Sequence, residues 1–405
     1  MRASTYPLLD VAEAREIVLR HTPSLPAERV SVRECAGRVL AADLVAPHEL
    51  PRWRVSAVDG FAIRAADAGR SLHVIGESAA GRPFAQRLQP GTTARILTGG
   101  MLPDGADAVV MLEDTEQAGD SVRVPANVSA GVNFHAPGAD LQRGEVVARR
   151  GTTLRAAEVG LAAALGVSKV DVFRRPTVAL MSTGDELVEL DREPARGQIY
   201  DSNRHALAAT LAEAGAEVRQ FGIAPDTPAE LRELVTGALA ACDVLVTSGG
   251  VSVGTHDLVK PLLGELGEVL VGRVKLKPGK PFTFATLPGD RIAFGLPGFP
   301  VSSLVTFEVF VRPALRKMQG HSTLYRPALP VRLAHDARAP GDRTEYQRVR
   351  LERRGEELVA TATGPQSSSR LMSLVGAHAL VRIPPGADGY PAGTVVEALI
   401  LELPA

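Results

Sequence analysis

The chain has 405 residues, which is longer than a single hydrophobic core usually supports, so its length predicts roughly two to four domains. Hydrophobic residues make up 45% and charged residues 22%, which excludes a disordered chain, and the formal net charge of −1 excludes a global positive field that would attract nucleic acid. No long uncharged apolar run is present, and the N-terminal segment has acidic residues where a signal peptide needs apolar ones. The two cysteines are far apart in the sequence, which fits a reducing compartment. We therefore expect a cytoplasmic protein without membrane contact.

The N-terminal part of the sequence changes from a helical pattern to a β pattern and back. After Asp10, a plausible N-cap, Val11, Ala14 and Val18 fall on one helical face, and residues 151–166 return to helical spacing. Between about residues 46 and 140, short apolar stretches are separated by Gly, Pro and Asp turns, which predicts a β-rich domain. We therefore expect a discontinuous helical linker domain, residues 1–45 and 141–175, that carries a β-rich insertion, residues 46–140.

The remainder of the sequence predicts an α/β domain followed by a β domain. From residue 176 to 322, apolar strands alternate with capped helices, which predicts a parallel sheet covered by helices on both faces. From residue 323 to 405 the pattern is β-like again and predicts a small barrel or sandwich, of which we favour the barrel. The predicted fold class is therefore multidomain α/β plus β, with a three-layer α/β domain and a C-terminal β-barrel.

Three polar loops follow strands of the predicted parallel sheet, where ligands bind in open sheets of this kind. They are residues 182–186, 248–254 and 295–300. Glycine lets the backbone approach a ligand closely, and serine and threonine add hydroxyl donors, although tight turns chosen for sterics are the alternative interpretation. The candidate substrate-binding residues in these loops are Thr183, Gly184, Asp185, Ser248, Gly249, Gly250, Ser252, Gly254, Pro297 and Gly298.

A basic segment supplies candidate anion ligands. On a strand, Arg273, Lys275 and Lys277 would share one face, and Lys280 follows in a Pro-Gly-Lys-Pro turn. Arginine and lysine bind phosphates and oxyanions, although a solvated edge strand would carry the same residues.

Acidic residues at loop positions are candidate ligands of a magnesium ion, because hard cations take carboxylate and phosphate oxygens. They are Asp59, Asp140, Glu186, Asp226 and Asp257. Asp226 could instead cap a helix, and Asp59 could simply form an Asp-Gly turn. The nine histidines show no HxxxH or HxH pairing, so we expect no zinc site built by the protein alone.

These stretches together resemble one family along nearly the whole chain, the molybdopterin molybdenumtransferases, which include bacterial MoeA and the gephyrin E domain. The matching segments occur in the family's order: PRWRVSAVDGFAIR, RILTGGMLPDGADAVVMLED, GADLQRGEVV, STGDELV, YDSNRHAL, TSGGVSVGTHDLVK, KLKPGKPFTFA, GLPGFPVSS, TEYQRVRL and TGPQSSSRLMSL. The resemblance implies that adenylated molybdopterin and molybdate are the substrates, that AMP is released, and that magnesium is required. It also implies a homodimer in which the α/β domain of one subunit faces the β-rich domain of the other across the active site.

The family's functional residues transfer to matching positions of this sequence. The resemblance implies catalytic roles for Asp59, Thr98, Asp140, Glu186, Asp226, Asp257, Lys277, Arg348 and Ser368, magnesium binding by Glu186, Asp226 and Asp257, and substrate contacts by Ser202 and Asn203. One departure concerns Arg273, which stands where bacterial relatives carry a lysine. Either Arg273 or Lys275 could take the role of that lysine.

Two other functions stay open at this point. A molybdopterin adenylyltransferase has a similar α/β domain, but we expect it to lack the SAVDGFA and QSSS segments. A non-enzymatic scaffold is the other alternative, since gephyrin also clusters receptors by gripping peptide segments. Tungstate has the charge and nearly the size of molybdate, so both oxyanions remain candidates. Candidate protein partners are a molybdopterin adenylyltransferase and other enzymes of cofactor biosynthesis.

Overall fold

The computed structural model describes residues 6–224, 227–250, 258–338, 340–386 and 388–404. The chain divides into two compact units, a larger unit of Met1–Glu28, Gly151–Thr153 and Asp171–Ala405, and a smaller unit of Arg29–Arg150 and Leu154–Val170. Among the described helices, none combines the length and the apolar character that crossing a membrane requires. The boundaries of the four predicted domains stay a prediction.

The helices and strands follow in chain order. The α-helices are α1 (Val11–Arg20), α2 (Ala156–Ala164), α3 (Ser202–Glu213), α4 (Pro228–Ala241), α5 (Val259–Leu266), α6 (Pro300–Thr306) and α7 (Arg312–Met318). A π-helical stretch, Phe307–Val311, joins α6 to α7, and short 3-10 turns cover Val32–Glu34, Ala65–Asp67, Leu112–Asp114 and Leu371–Ser373. The strands are β1 (Ala27–Ser31), β2 (Leu44–Val45), β3 (Val55–Ser56), β4 (Gly60–Ile63), β5 (Ser71–Ser78), β6 (Thr92–Ile96), β7 (Ala108–Met111), β8 (Glu116–Ala118), β9 (Ser121–Arg123), β10 (Phe134–His135), β11 (Val146–Ala148), β12 (Lys169–Phe173), β13 (Thr177–Thr183), β14 (Leu187–Val188), β15 (Ile199–Tyr200), β16 (Glu217–Ala224), β17 (Val244–Ser248), β18 (Glu268–Val271), β19 (Leu276–Lys277), β20 (Thr283–Leu287), β21 (Arg291–Leu296), β22 (Ala328–Leu333), β23 (Thr344–Arg354), β24 (Glu357–Ala362), β25 (Ala379–Ile383) and β26 (Val395–Ile400).

The smaller unit is built around a six-stranded sheet with the strand order β7-β4-β6-β5-β9-β8. The inner strand β4 is buried on both faces: Phe61 and Ile63 belong to one apolar cluster and Ala62 belongs to the other. Gly60 begins this strand because a Cβ there would overlap the carbonyl oxygen of Val110 on β7. The β-rich character predicted for this part of the chain is confirmed.

The larger unit contains a six-stranded sheet with the order β16-β13-β17-β21-β20-β18. Strands β16, β13, β17 and β21 are parallel, as predicted, but β20 and β18 pair antiparallel to their neighbours, so the sheet is mixed. Every residue of β13 is buried, with Leu180 in the cluster that includes α3 residues and Met181 in the cluster that includes α4 residues. Burying each large apolar side chain contributes about 1.5–3 kcal/mol, which holds helices on both faces of the sheet. The predicted three-layer arrangement is confirmed.

A closed barrel follows the mixed sheet in the same unit. Its strands pair in the order β23-β24-β22-β26-β25, and β25 pairs back to β23, which closes the ring. Val331, Val349, Val381 and Ala398 point into its apolar core. The barrel, and not the sandwich, is therefore the correct alternative. The short strand β19 adds to β23 in parallel, with Leu276 paired to Thr344, and attaches the segment after β18 to the barrel.

Candidate functional site

A cleft of about 1240 Å³ lies beyond the carboxyl ends of β13, β17 and β21, the location at which open parallel sheets bind ligands. Its walls come from loops of the α/β sheet and from two segments of the barrel region. The lining residues are 183–187, 199–203, 248–250, 277–281, 297–300, 302, 343, 366–369 and 371. A cavity of this size can enclose most of a nucleotide-sized substrate.

Thr183 and two glycines form the floor of the cleft. Thr183 is 8% exposed, and its Oγ1 has no hydrogen-bond partner among the described residues. Gly249 (φ +91°) and Gly250 (φ +65°) pack directly on it, since a Cβ on Gly250 would lie 2.7 Å from Thr183 Oγ1. The Gly249 N–H donates to the Leu296 carbonyl at 3.0 Å. Because this hydrogen bond occupies the Gly249 N–H, Gly249 offers no free amide to an anion, and its lack of a side chain leaves room for Thr183.

Asn203 ties three walls of the cleft together. Its Nδ2 donates to Ser248 Oγ at 2.8 Å and to the Gly298 carbonyl at 2.7 Å. Asn203 belongs to the first turn of α3, where the Asp201 carboxylate caps the helix by accepting from the Arg204 N–H at 3.1 Å. The loops after β17 and β21 are therefore held against the start of α3.

The acidic residues of the cleft follow β13. Asp185 and Glu186 are exposed and line the cleft. The Glu186 carboxylate folds over the preceding loop, since a Cβ on Gly184 (φ +148°) would lie 2.6 Å from Glu186 Oε2. Within the described ranges, no group of three or more His, Cys, Asp or Glu side chains is placed to hold a metal ion. The other two predicted magnesium ligands, Asp226 and Asp257, lie outside the described residues, as do Ser252 and Gly254.

The cations of the cleft lie near the junction of β19 and β23. Lys277 Nζ is 3.1 Å from the buried carboxylate of Glu345, which faces it across the β19–β23 pair. Lys280 and Arg343 also line the cleft. Arg343 was missed by the sequence analysis, because only the pairing of β19 with a strand nearly seventy residues later brings it to the site.

The basic segment does not form the continuous strand that the sequence predicted. The Leu276 N–H donates to the Val274 carbonyl at 2.8 Å, which makes a tight turn at Lys275, and Lys275 itself donates its N–H to Leu9. Lys275 Nζ is 3.2 Å from Asp10, and neither Lys275 nor Arg273 lines the cleft. The expectation of a shared face with Lys277 is wrong, because pairing with the N-terminal segment breaks the alternation.

A serine loop, residues 366–369, closes another side of the cleft. Ser368 lines it, and its carbonyl accepts from the Val301 N–H at 3.1 Å. Arg348 is fully buried beneath this loop, where its Nη2 donates to the Ser367 carbonyl at 3.1 Å and its Nε donates to Ser373 Oγ at 3.1 Å. Burial lowers the pKa of the Arg348 guanidinium to about 10. Arg348 does not line the cleft, and its hydrogen bonds position the serine loop; the catalytic role that the resemblance implies for it stays a prediction.

Asp59 and Thr98 meet in the smaller unit. Asp59 precedes β4 and Thr98 follows β6, and the register pairs Gly60 with Ile96, which brings the two loops side by side. Asp59 Oδ1 accepts from the Thr98 N–H at 2.6 Å and from its hydroxyl at 2.8 Å. These hydrogen bonds hold the pKa of the Asp59 carboxyl below its usual value. Asp140 is exposed on another loop, where its N–H donates to the Leu50 carbonyl.

Comparison with known proteins covers all parts of the chain. Residues 9–166 match the family described as MoeA N-terminal region (domain I and II), residues 179–317 match a probable molybdopterin binding domain, and residues 330–401 match the MoeA C-terminal region (domain IV). A molybdopterin molybdenumtransferase of Nostoc sp. is 37% identical, and the alignment covers 98% of this chain and 94% of the relative. This chain belongs to the molybdopterin molybdenumtransferase (MoeA) family.

Other members of the MoeA family and related proteins agree with this assignment. Molybdopterin molybdenumtransferase 1 of Mycobacterium tuberculosis is 37% identical over 92% of this chain and 94% of its own length. Gephyrin of Dictyostelium discoideum is 34% identical over 99% of this chain but only 63% of its own length. A solved MoeA structure from Pyrococcus horikoshii has a TM-score of 0.85 and 32% identity, and the match covers 98% of this chain and 100% of that one.

The cleft of this MoeA-family chain gathers most of the residues predicted from its sequence. Those that line it are Thr183, Gly184, Asp185, Glu186, Ser202, Asn203, Ser248, Gly249, Gly250, Lys277, Lys280, Pro297, Gly298 and Ser368. The position of those that follow β13, β17 and β21 at strand ends was predictable from the alternation of strands and polar loops. The chemical role of each residue stays a prediction.

Proposed function

We propose that this MoeA-family protein inserts molybdenum, supplied as molybdate, into adenylated molybdopterin, with the release of AMP, in the cytoplasm. The observation that carries the proposal is the relationship over 98% of the chain to a protein named molybdopterin molybdenumtransferase. The chemistry of the cleft supports it, because hydroxyls, carboxylates and cations suited to phosphates and an oxyanion line one cavity.

Binding of the phosphorylated substrate is assigned to the floor and the cationic wall. The unpartnered Thr183 hydroxyl and the Ser248 loop would contact the substrate at the strand ends. Lys277, Lys280 and Arg343 would bind molybdate and the pyrophosphate oxygens, with arginine offering a planar pair of donors where lysine offers a point charge. The pyrophosphate bond of the adenylate stores the driving force, so the protein contributes positioning and charge stabilisation.

A divalent cation fits the acidic part of the cleft. Asp185 and Glu186 are exposed carboxylates of the type that magnesium takes, and substrate phosphates would complete the ligand set. We propose Glu186, Asp226 and Asp257 as the magnesium ligands. When bound, magnesium supplies charge neutralisation at the pyrophosphate.

We also propose that the protein acts as a homodimer in which Asp59, Thr98 and Asp140 serve the active site of the partner subunit. The Asp59–Thr98 hydrogen bonds support a fixed, ionised carboxylate at that position. A carboxylate of this kind would accept a hydrogen bond from a water molecule and orient it near the dithiolene.

The deciding experiment is AMP release from purified protein that is given adenylated molybdopterin, magnesium and molybdate, with tungstate as a parallel sample. We expect stoichiometric AMP and a molybdenum-bound dithiolene. Lys277→Met is expected to lower the rate at least tenfold, which corresponds to about 1.4 kcal/mol of transition-state binding. A protein that makes the adenylate from ATP and molybdopterin, and releases no AMP from it, would overturn the proposal in favour of an adenylyltransferase.

A further inference from the structure

Two aromatic side chains stand at the edge of the cleft with their rings open to solvent. Phe299 is 59% exposed and Tyr200 is 45% exposed, and both line the cleft together with Ile199. We refer to these three residues as the apolar lip. Other phenyl rings, such as those of Phe282 and Phe294, are fully buried in the core, whereas Phe299 and Tyr200 are exposed.

The backbone holds both aromatic residues in fixed places. Tyr200 belongs to β15, which pairs with β14, and the Asp201 N–H that follows donates to the Val188 carbonyl at 3.1 Å. Phe299 precedes Pro300 at the start of α6, and its carbonyl accepts from the Ser303 N–H at 3.0 Å. The rings are therefore carried on ordered segments and not on a free loop.

A single side chain connects these two segments. Asn203, three residues after Tyr200, donates to the carbonyl of Gly298, the residue before Phe299. A carbonyl oxygen can only accept, so the Asn203 amide nitrogen faces Gly298 and its Oδ1 is left without a partner among the described residues. One hydrogen bond thus joins the segments that carry the two aromatic residues, and the same Asn203 amide keeps an unused acceptor, Oδ1.

Neither aromatic ring contacts another ring in the part of the chain that the structure describes, where the observed ring pairs involve Phe282, Phe284, Phe294 and Phe310. Tyr200 and Phe299 therefore stack on no other described aromatic ring, and 45% and 59% of these residues, respectively, remain exposed to solvent. Exposed aromatic rings in a cleft that also contains an unused polar acceptor suit flat nitrogen heterocycles, because stacking is tolerant of ring identity and the acceptor takes an exocyclic amino group.

We propose that the apolar lip binds a heteroaromatic ring of the adenylated substrate, by stacking on Phe299 and Tyr200, with Asn203 Oδ1 accepting from the amino group of that ring. The proposal rests on the proposed function, which supplies a substrate with two such rings, adenine and pterin. Adenine and the pyrimidine ring of the reduced pterin are both flat and each carries an amino group, so the lip chemistry fits either one. The residues make no covalent contribution, and their role is to determine substrate affinity.

The test measures binding of isolated substrate parts to the full-length protein by calorimetry. The probes are AMP, 6-hydroxymethylpterin and ribose 5-phosphate, which lacks a ring system. Phe299→Ala and Tyr200→Ala are each expected to raise the Kd of one ring-bearing probe about tenfold and to leave the ribose 5-phosphate Kd unchanged. Phe299→Tyr, which keeps the π face, is expected to restore binding to within about twofold.

A matched control is Leu190→Ala, because Leu190 is 59% exposed, as Phe299 is, but does not line the cleft. It is expected to change none of the three affinities. A selective loss of AMP affinity assigns the lip to adenine, and a selective loss of pterin affinity assigns it to pterin. Equal loss for all probes, no loss in either alanine variant, or a wild type that binds neither ring at millimolar concentration would overturn the proposal.

The two proposals fail in different ways. If the wild type binds AMP or the pterin through the lip but releases no AMP from adenylated molybdopterin, the proposed function fails and the ring-binding site stands. If Phe299→Ala and Tyr200→Ala release AMP at the wild-type rate and bind the substrate with the wild-type affinity, the lip is not a ring site and the proposed function stands.

Discussion

Replacing Gly249 with alanine tests whether the floor of the cleft depends on glycine. Gly249 has a φ of +91°, and a Cβ there would overlap the Thr183 carbonyl oxygen and lie 3.0 Å from Thr183 Oγ1. The left-handed backbone costs an L residue about 1–2 kcal/mol, and relieving overlap in a packed region costs about 1–3 kcal/mol. We therefore expect Gly249→Ala to lose about 2–5 kcal/mol of unfolding free energy and to weaken AMP binding.

The neighbouring loop offers a matched control for this substitution. A Cβ on Gly298 would meet its nearest atom, the Gly249 Cα, at 3.9 Å, which is ordinary van der Waals contact. Gly298→Ala is expected to stay within about 0.5 kcal/mol of the wild type. The unfolding free energies of both variants are measured by urea denaturation. The dependence of the unfolding free energy on urea concentration (the m-value) must be the same in both variants and in the wild type. Equal stability of the two variants would refute the reasoning, since it would mean that the Thr183 segment yields without cost.

Other predictions concern a buried arginine, a hydrogen-bonded acid and a partly buried histidine. Arg348→Met is expected to lower AMP release at least tenfold, because the guanidinium no longer holds the Ser367 carbonyl, and an unchanged rate would contradict the positioning role. Thr98→Val removes the hydroxyl that donates to Asp59 and is expected to raise the Asp59 pKa toward its usual value. NMR titration of the carboxyl group measures this change. Thr98→Ser keeps the hydroxyl donor and is the control. Burial, together with two nearby arginines, lowers the folded-state pKa of His321 from 6.5 to about 4. His321 therefore binds a proton at a higher pH in the unfolded chain than in the folded protein. As the pH falls from about 6.5 to 4, the unfolding free energy decreases for this reason by at most about 3 kcal/mol. His321→Gln is expected to remove this part of the pH dependence in urea unfolding at pH 7 and pH 4.5, and an identical pH profile would contradict it.

The periodic patterns of the sequence predicted the layers correctly because each layer has its own spacing of apolar residues. Continuous apolar stretches such as β13 and β17 are buried on both faces, which is typical of a parallel sheet under helices. The antiparallel pair of β20 and β21 was missed, although its signal was present. Pro288, Gly289 and Asp290 join the two strands, and the last two have positive φ, which is the pattern of a tight hairpin turn.

The candidate site was only partly predictable because half of it depends on pairing between distant segments. Strand ends bring Thr183, Ser248 and Gly298 together, and this follows from topology alone. Arg343 reaches the cleft through the pairing of β19 with β23, and Lys275 leaves it through pairing of its segment with Leu9. Pairings between distant segments have no short-range sequence signal, so a basic stretch cannot by itself tell which of its residues face a ligand.

The balance of charge in the cleft indicates how it would select its ligand. Lys277 is already compensated by Glu345, so the uncompensated cations among the described lining residues are Lys280 and Arg343. The carboxylates of Asp185 and Glu186, in the loop after β13, carry a formal charge equal and opposite to that of Lys280 and Arg343. A set of described lining residues whose charges balance gains little from a simple anion or a simple cation, because each is attracted by one group and repelled by the other. It gains most from a ligand that brings both signs, which is what a pyrophosphate with a bound divalent cation offers. For this reason we expect the affinity for inorganic pyrophosphate to rise with magnesium concentration in the wild type and to lose that dependence in Glu186→Gln.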